Sequence, residues 1–392
     1  MPSSVSSARR LLVALGDATD VRTRGGSPYF LGQAGLRAGF LHEVGALDIT
    51  GDRRARWLWN AGRLLSRGER GGYQFSKGFA ERVFRQAGLT CAVDEVISQF
   101  PLFPPAGWLG AVSTVYYIDA TLKQNFEAYG LGARVGRGMQ RAVLAREQAR
   151  YEAADRVIAM CHWAAQSVVE DYGVSADKVH VVPGGANLDE DALRAADAPG
   201  EPPPLEPLRL GFVGKDFRRK NLQFILRVAE ALVDRGIPAQ VLAAGFPVAA
   251  GPQHPLLEAW GFLDKWRDPT GFVDFMQQVH FGCLFSYAEA SPRSNLEFLR
   301  LGIPVITWDV GGMADTVPQG LGEVFPPDTT AESVATWLQS LIGDPARYAA
   351  LRQRAYARRQ EVGWPRAIEQ FQSIWSGSSA YRYGPRERAH VR

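Results

Sequence analysis

The sequence predicts an α/β chain built from two Rossmann-like, doubly wound domains. Three observations carry this. At 392 residues and 46% hydrophobic content, the chain is too long for one ordinary core and fits two. Short apolar runs that read as buried strands alternate with longer runs that read as helices, the order expected of a parallel sheet. A proline-rich segment, APGEPPPLEP at 198–207, interrupts that alternation, and LRLGFVG restarts it. Its prolines suit neither a ladder nor a helix interior, so it reads as an extended linker.

In the first half, LLVALG (11–16) is the first strand. A polar loop follows, carrying Gly25 and Gly26, and then a helix with Pro28 in its first turn. A glycine pair before a helix either lets a ligand approach the backbone or makes an ordinary turn. Residues 53–85 are basic and aromatic. Trp57, Leu58, Ala61, Leu64 and Leu65 share one helical face, with Arg54, Arg56, Arg63 and Arg67 around the rest. Two readings stay open there: a structural helix with a solvated basic face, or contact with an anionic membrane or a phosphorylated acceptor. TVYYIDATL (114–122) is a strand running into a loop. Its Asp119 either accepts a hydroxyl proton or caps the next helix. A basic helix (135–153), the strand VIAMC, a helix stopped by Gly173 and the strand KVHVV complete this half. His162 stands alone, and a lone histidine is given no role.

In the second half, the strand LRLGFVG meets a basic loop, KDFRRKNL, and then the helix QFILRVAEALVDRG. Lys215, Arg219 and Lys220 put positive charge just before a helix start, which suits a diphosphate. The densest stretch is SYAEASPRSNLEFLRLGIPVITWDVGG, 286–312. Glu289 follows the apolar run HFGCLFSY. Pro292 breaks the loop, and Glu297 sits in a short helix closed by Gly302 before the strand PVITWD. In a parallel sheet the loop after a strand lies at the carboxyl edge, where such folds bind ligands. The helix behind it, with Arg293, Ser294 and Asn295 at its start, offers free N–H groups to an anion. The blander reading is that Ser294-x-x-Glu297 is a capping box and Glu289 a solvated carboxylate. AWGFLDKW (259–266) reads as a short strand and turn, DPARYAALRQRAYARRQ as a helix, and GWPRAIEQFQSIW as the terminal helix. SGSSAYRYGPRERAHVR is polar, basic and expected to be disordered.

Composition excludes several classes. Net charge is +3, from 44 basic and 41 acidic residues, so nucleic acid is not an expected partner. The cysteines, Cys91, Cys161 and Cys283, are odd in number and far apart, which argues against a disulfide framework or zinc site and for a reducing compartment. No apolar run approaches the roughly 18 residues of a membrane helix. The run after Arg9-Arg10 is too short for a signal peptide. The expected location is cytoplasmic, either free or peripheral at the inner face of the membrane.

Glu289-x7-Glu297, then Gly302-Ile303-Pro304-Val305-Ile306, then Asp309-Val310-Gly311-Gly312, resembles the signature of retaining glycosyltransferases of the GT-B fold, family 4 type. The resemblance covers residues 11 to 376. It implies two Rossmann-like domains facing a central cleft. These would be an acceptor domain at 1–200, a nucleotide-sugar donor domain at 201–362, a helix at 363–376 crossing back, and a tail at 377–392. It implies sugar transfer with retention from a nucleotide-diphosphate sugar to a glycan or lipid-linked hydroxyl acceptor, with no cofactor and no metal. In this reading Glu289, Asp119 and Lys220 are catalytic. Gly25, Gly26, Lys215, Arg219, Lys220, Arg293, Ser294, Asn295 and Glu297 bind the donor, Lys215 and Lys220 matching the family's spacing for a diphosphate clamp. One departure stands out: where the family often has a histidine, this chain has Ile118-Asp119-Ala120. The alternatives are a nucleotide-sugar epimerase and a binding protein without catalysis. An NAD-linked dehydrogenase is disfavoured because no G-x-G-x-x-G follows the first strand.

Overall fold

The structure is a computed structural model that describes residues 8–384, apart from 52, 70, 90–92, 109–111 and 196–202. It divides into two compact units, Met1–Pro183 with Ala367–Arg392, and Gly184–Arg366. The division falls ahead of the proline-rich segment, half of which lies outside the described residues, and not at the expected 200/201 boundary.

The first unit holds a parallel sheet of six strands: β1 (Arg10–Val13), β2 (Glu43–Val44), β3 (Glu95–Ser98), β4 (Ser113–Ile118), β5 (Arg156–Ala159) and β6 (Val179–Val181). Their order is β2-β1-β3-β4-β5-β6, with Leu12 opposite Ile97 and Tyr117 opposite Ile158. Strands buried on both faces need near-continuous apolar sequence, and Leu11, Leu12 and Val13 are fully buried. The helices are α1 (Ser27–Arg37), α2 (Arg53–Arg67), α3 (Lys77–Ala87), α4 (Leu122–Glu127), α5 (Arg137–Ala153) and α6 (His162–Glu170).

The second unit repeats the plan. After the short α7 (Glu190–Ala195) come β7 (Leu208–Val213), α8 (Leu222–Val233), β8 (Ala239–Ala244), β9 (Leu257–Ala259), α9 (Pro269–Gln277), β10 (Phe281–Leu284), α10 (Arg293–Arg300), β11 (Val305–Trp308) and β12 (Gly322–Phe325). The strand order is β12-β11-β10-β7-β8-β9, all parallel. The order reverses beside β7, so the loops after β7 and β10 flank the switch point where such sheets bind ligands. Helices α11 (Ala331–Ile342) and α12 (Pro345–Ala357) follow, and α13 (Trp364–Trp375) ends the helical chain. Most of α13 packs in the first unit. Phe371 meets Tyr117 edge-on at 4.9 Å, and Trp375 donates to Glu95 Oε2 at 2.8 Å.

One expectation fails here, and one open reading is narrowed. The tail is not disordered as far as residue 384. Val181 N donates to Tyr381 O and Tyr383 N to Val179 O, each at 2.8 Å, so the tail adds an antiparallel partner at the β6 edge. Residues 385–392 lie outside the described residues. Strand pairing needs only backbone N–H and C=O groups, which a polar, basic composition does not remove. For α2 two readings were open, and its apolar face is not packed against the core. None of its residues is buried, and Trp57, Leu58 and Leu65 are 69%, 63% and 88% exposed. The opposite face does the packing, through Ala55 and Trp59.

Candidate functional site

The site is built from the second unit's switch-point loops. β7 ends at Val213, and the chain turns at Gly214. A Cβ on Gly214 would lie 2.3 Å from Lys220 Cδ, so glycine is what lets the Lys220 side chain fold back over the strand end. The loop then closes on itself, with Asn221 in the left-handed region (φ 56°) at the start of α8. This places Lys220 and Arg219 against the loop after β10. Lys220 Nζ donates to Glu289 Oε1 at 2.6 Å, and Arg219 donates to the same oxygen at 2.9 Å. Arg219 also donates to Ala288 O, while Tyr287 N and Ser286 Oγ donate to Arg219 O at 3.0 and 3.1 Å. The Lys220 and Glu289 side chains are 15% and 10% exposed, so this cationic cluster is largely desolvated. Such pairs interact more strongly than the same pair in water.

The turn after β11 holds the Glu289 loop from behind. Gly312 N donates to Glu289 O at 2.9 Å, and a Cβ on Gly311 (φ 60°) would lie 2.1 Å from that oxygen. The Asp309–Gly312 motif is therefore a backbone seat for Glu289, and only glycine fits at 311.

Helix α10 does not carry the capping box that Ser294-x-x-Glu297 suggests. Its N-cap is Pro292, and no side chain caps it. Glu297 lies too deep in the helix to reach back, and its Oε1 accepts from Lys265 Nζ instead. Lys265 also donates to Asn187 O at 3.0 Å and lies 4.4 Å from the Trp266 ring centre. Glu297 is 2% exposed. At the start of α10, Arg293 donates to Gly185 O at 3.2 Å, and Asn295 Nδ2 donates to Thr316 Oγ1 at 3.1 Å. Ser291 Oγ and Ser294 Oγ are buried without a hydrogen-bond partner among the described residues. Two partnerless hydroxyls beside free helix N–H groups make a cradle suited to an anion's oxygens.

Lys215 is exposed and apart from this cluster, with its ammonium 5.2 Å from the Phe262 ring centre. Lys220, Arg219, Glu289 and the start of α10 are brought together, and Lys215 is not. The sequence reading missed Lys265. The only hint was a lysine among the aromatics of AWGFLDKW.

Asp119, Gly25 and Gly26 belong to the first unit. Asp119 follows β4, and its Oδ2 lies 3.5 Å from Arg24, a partner the sequence reading missed. Arg24, Gly25 and Gly26 all have positive φ, at 47°, 69° and 94°. Asp119 does not cap α4. Thr121 does, in a capping box with Gln124. A cavity of about 120 Å³ opens beside Asp119, lined by Arg24, Phe75, Gln99, Phe100 and Asn125 among others. Gln99 Nε2 is buried there without a partner among the described residues. Arg24 and Asp119 offset each other in charge, so the cavity presents donors and acceptors with little net charge, a setting for hydroxyls.

Beneath that loop lies Glu147 of α5, fully buried. It accepts from Leu122 N at 2.8 Å, from Tyr151 Oη at 2.7 Å and from Tyr172 Oη. Burial pushes its carboxyl up to about 7, against the pull of these donors. The folded value lies above the unfolded one near 4.5. The stability Glu147 contributes is therefore complete below about pH 4.5 and is lost as pH rises through 7. Between about pH 5 and pH 8, wild type is expected to lose on the order of 1–3 kcal/mol more stability than Glu147→Gln. Urea denaturation at both pH values checks this, and parallel pH profiles for the two proteins would remove Glu147 as the cause.

Among the described residues, no group of three or more His, Cys, Asp or Glu side chains is placed to hold a metal ion, and no helix is long and apolar enough to cross a membrane.

Residues 9–190 match the glycosyltransferase family 4 domain, and residues 207–344 match the domain described as glycosyl transferases group 1. Among curated relatives, the D-inositol 3-phosphate glycosyltransferase of Nocardia farcinica is 29% identical over 254 residues, covering 59% of this chain and 55% of that one. Its counterpart in Kineococcus radiotolerans is 29% identical over 248 residues, covering 57% of each. The chain thus spans little more than half the length of these relatives. Among solved structures, sucrose-phosphate synthase of Thermosynechococcus elongatus aligns with a TM-score of 0.62 at 16% identity, over 94% of this chain and 98% of that one. HepE of Anabaena, in complex with UDP and glucose, aligns with a TM-score of 0.58 at 14% identity, over 94% and 100%. These likenesses show the fold, two parallel six-stranded sheets with helices, as in GT-B proteins.

Proposed function

Because the chain belongs to the glycosyltransferases of group 1 and family 4, we propose that it moves a sugar from a nucleotide-diphosphate sugar to a hydroxyl acceptor, with retention at the anomeric carbon. The observation that carries this reading is the cluster of Lys220, Arg219 and Glu289 beside the uncapped start of α10. When the glycosidic bond breaks, negative charge grows on the departing diphosphate. Cations and helix N–H groups already fixed in place stabilise that charge without reorganising. In this reading Lys220 and Arg219 meet the diphosphate, and Glu289 holds them ready and reaches the donor sugar's hydroxyls. Arg293, Ser294 and Asn295 present the helix start, and Glu297 takes the ribose hydroxyls. Lys215 stands at the rim. In the first unit, Asp119 accepts the acceptor's hydroxyl proton, and Gly25 and Gly26 leave room for the donor phosphates. The acceptor is a glycan or lipid-linked alcohol, in glycan, polysaccharide or glycolipid synthesis. HepE, whose crystal structure holds UDP and glucose, supports a uridine donor as the first to test.

The reading assigns the charge work to side chains and a helix, so it requires no metal and no cofactor. The test is transfer from UDP-, GDP- and ADP-sugars to simple glycoside and polyprenol acceptors in excess EDTA, with the product's anomeric proton followed by NMR. A product with the donor's configuration is expected. Inversion, or loss of transfer on chelation with recovery on adding magnesium, would overturn the mechanism. Release of free sugar with every acceptor would favour an epimerase-like or hydrolytic activity instead.

A lipid-linked acceptor fits the exposed face of α2. Trp57, Leu58, Leu64 and Leu65 lie on one side with Arg53 and Arg54, all exposed. A basic, apolar face of this kind suits the surface of an anionic membrane, where each cation adds about 1 kcal/mol. The protein is expected to sediment with vesicles containing phosphatidylglycerol and not with neutral ones. Leu65→Glu with Arg54→Glu is expected to weaken that binding at least tenfold. Equal binding by the variant would exclude α2 as the contact.

A further inference from the structure

The starting edge of the first unit's sheet carries a second cavity, away from the loop of Asp119. β4 runs six residues from Ser113 to Ile118, so its two ends lie about 17 Å apart. The cavity is about 380 Å³ and is lined by Asp155 and Arg156 at the start of β5, His180 of β6, Asp177, Ile374 of α13, and Gly377, Ser378 and Arg382 of the tail. Its polar groups are unevenly satisfied. Asp155 is engaged by Ser113 Oγ, and Asp177 by Arg382 at 3.1 Å. The second pair is exposed at both ends (50% and 79%), so it is weak and replaceable. Arg156 rests its guanidinium 5.1 Å from the Trp375 ring centre and forms no ion pair among the described residues. His180 is 6% exposed, and its Nδ1 has no partner among them. A buried imidazole nitrogen without a partner calls for an explanation. Beside it stand two guanidinium groups, one unpaired and one held only by an exposed carboxylate.

We propose that this cavity binds a small oxyanion of the phosphate class, held by Arg156, His180 and Arg382. An arginine offers a planar fork that matches such an anion's oxygens. His180 Nδ1–H would supply a third donor and so gain the partner it lacks. The anion would take Arg382 from Asp177, exchanging an exposed pair for a partly enclosed one. The tail turn at Gly377–Ser378 forms one wall, so a bound anion ties the tail to the starts of β5 and β6.

The electrostatics supply a direct readout. Burial, together with the charges of Arg156 and Arg382, pushes the His180 imidazole down to about 4. A bound anion offsets those charges and raises it. The experiment uses the full chain, with inorganic phosphate in one series and a hexose phosphate in the other. The His180 ring proton is followed by NMR across pH and assigned by its loss in His180→Gln. The expected result is a saturable shift complete by about 10 mM phosphate, as for a millimolar Kd, with the His180 titration moved to higher pH. Arg382→Ala, which alters only an exposed pair, is expected to weaken binding about tenfold while the fold is kept. Arg156→Lys is expected to weaken it less. Tighter binding of the hexose phosphate would make a sugar phosphate the ligand, and equal binding would make it free phosphate. No shift of His180 with either compound, or equal shifts in wild type and Arg382→Ala, overturns the proposal. None of these outcomes bears on sugar transfer.

Discussion

Lys220→Ala is expected to lower turnover about a hundredfold or more, close to 3 kcal/mol of transition-state stabilisation. The side chain is fixed before any donor arrives, by Glu289 Oε1 at 2.6 Å and by the space over Gly214. A preorganised cation of this sort acts on charge that develops only as the bond breaks, so the loss belongs in kcat more than in donor binding. Arg219 still donates to Glu289 in the variant, so no carboxylate is left unpaired and the melting temperature should hold. Lys215→Ala is the internal comparison. The matching spacing of Lys215 and Lys220 suggests equal roles, but Lys215 is exposed and lies over Phe262. Its loss should cost much less than that of Lys220. Steady-state kinetics of both variants measure this. Equal rates for wild type and Lys220→Ala would remove the loop from the mechanism.

Glu297→Gln is expected to weaken donor binding by about 1.5–3 kcal/mol, the size of a hydrogen bond to a charged group. That is roughly ten- to a hundredfold in Kd. Glu297 Oε1 is taken by Lys265, while Oε2 makes no hydrogen bond among the described residues and is the oxygen left for ribose. The amide keeps an acceptor for Lys265 but turns the other position into a donor. Stability should therefore hold while affinity falls. Glu297→Ala differs, because it leaves the Lys265 ammonium, 18% exposed, without a counter-charge, with only Asn187 O and aromatic rings beside it. Breaking a buried pair by removing one partner costs about 3–5 kcal/mol, so that variant should melt early. Thermal melts beside calorimetric titration of the nucleoside diphosphate separate the two effects. Unchanged affinity in Glu297→Gln would return Glu297 to a purely structural partner of Lys265.

What the sequence disclosed, and what it hid, follows the range of the interactions. The 286–312 stretch was legible because its parts are neighbours: a strand, a proline break, a short helix, Gly302 and a strand, each with a local cause. The Lys220–Glu289 contact was not read from the sequence, because it depends on β7 and β10 lying side by side in the sheet. Lys265 was not legible, because it reaches Glu297 from a turn 32 residues earlier through tertiary packing. Arg24 meets Asp119 across 95 residues in the same way. The capping box at Ser294 was a false local match: the helix already starts at Arg293, directly after Pro292, so Ser294 lies inside its first turn. For α2 the periodicity was right, and which face packs was left open. Spacing shows that two faces differ, and only the fold shows that Ala55 and Trp59 are the ones covered.

The most direct test of the donor site is calorimetric titration of UDP, GDP and ADP into the full chain and into Lys220→Ala and Glu297→Gln. The account predicts that wild type binds one of the three and gains about 2.7 kcal/mol of stability at 100 times its Kd. It predicts that Glu297→Gln loses most of that affinity, and that Lys220→Ala binds somewhat more weakly and turns over far more slowly. Folded wild-type protein that binds none of the three, or binding that both variants leave unchanged, would contradict it.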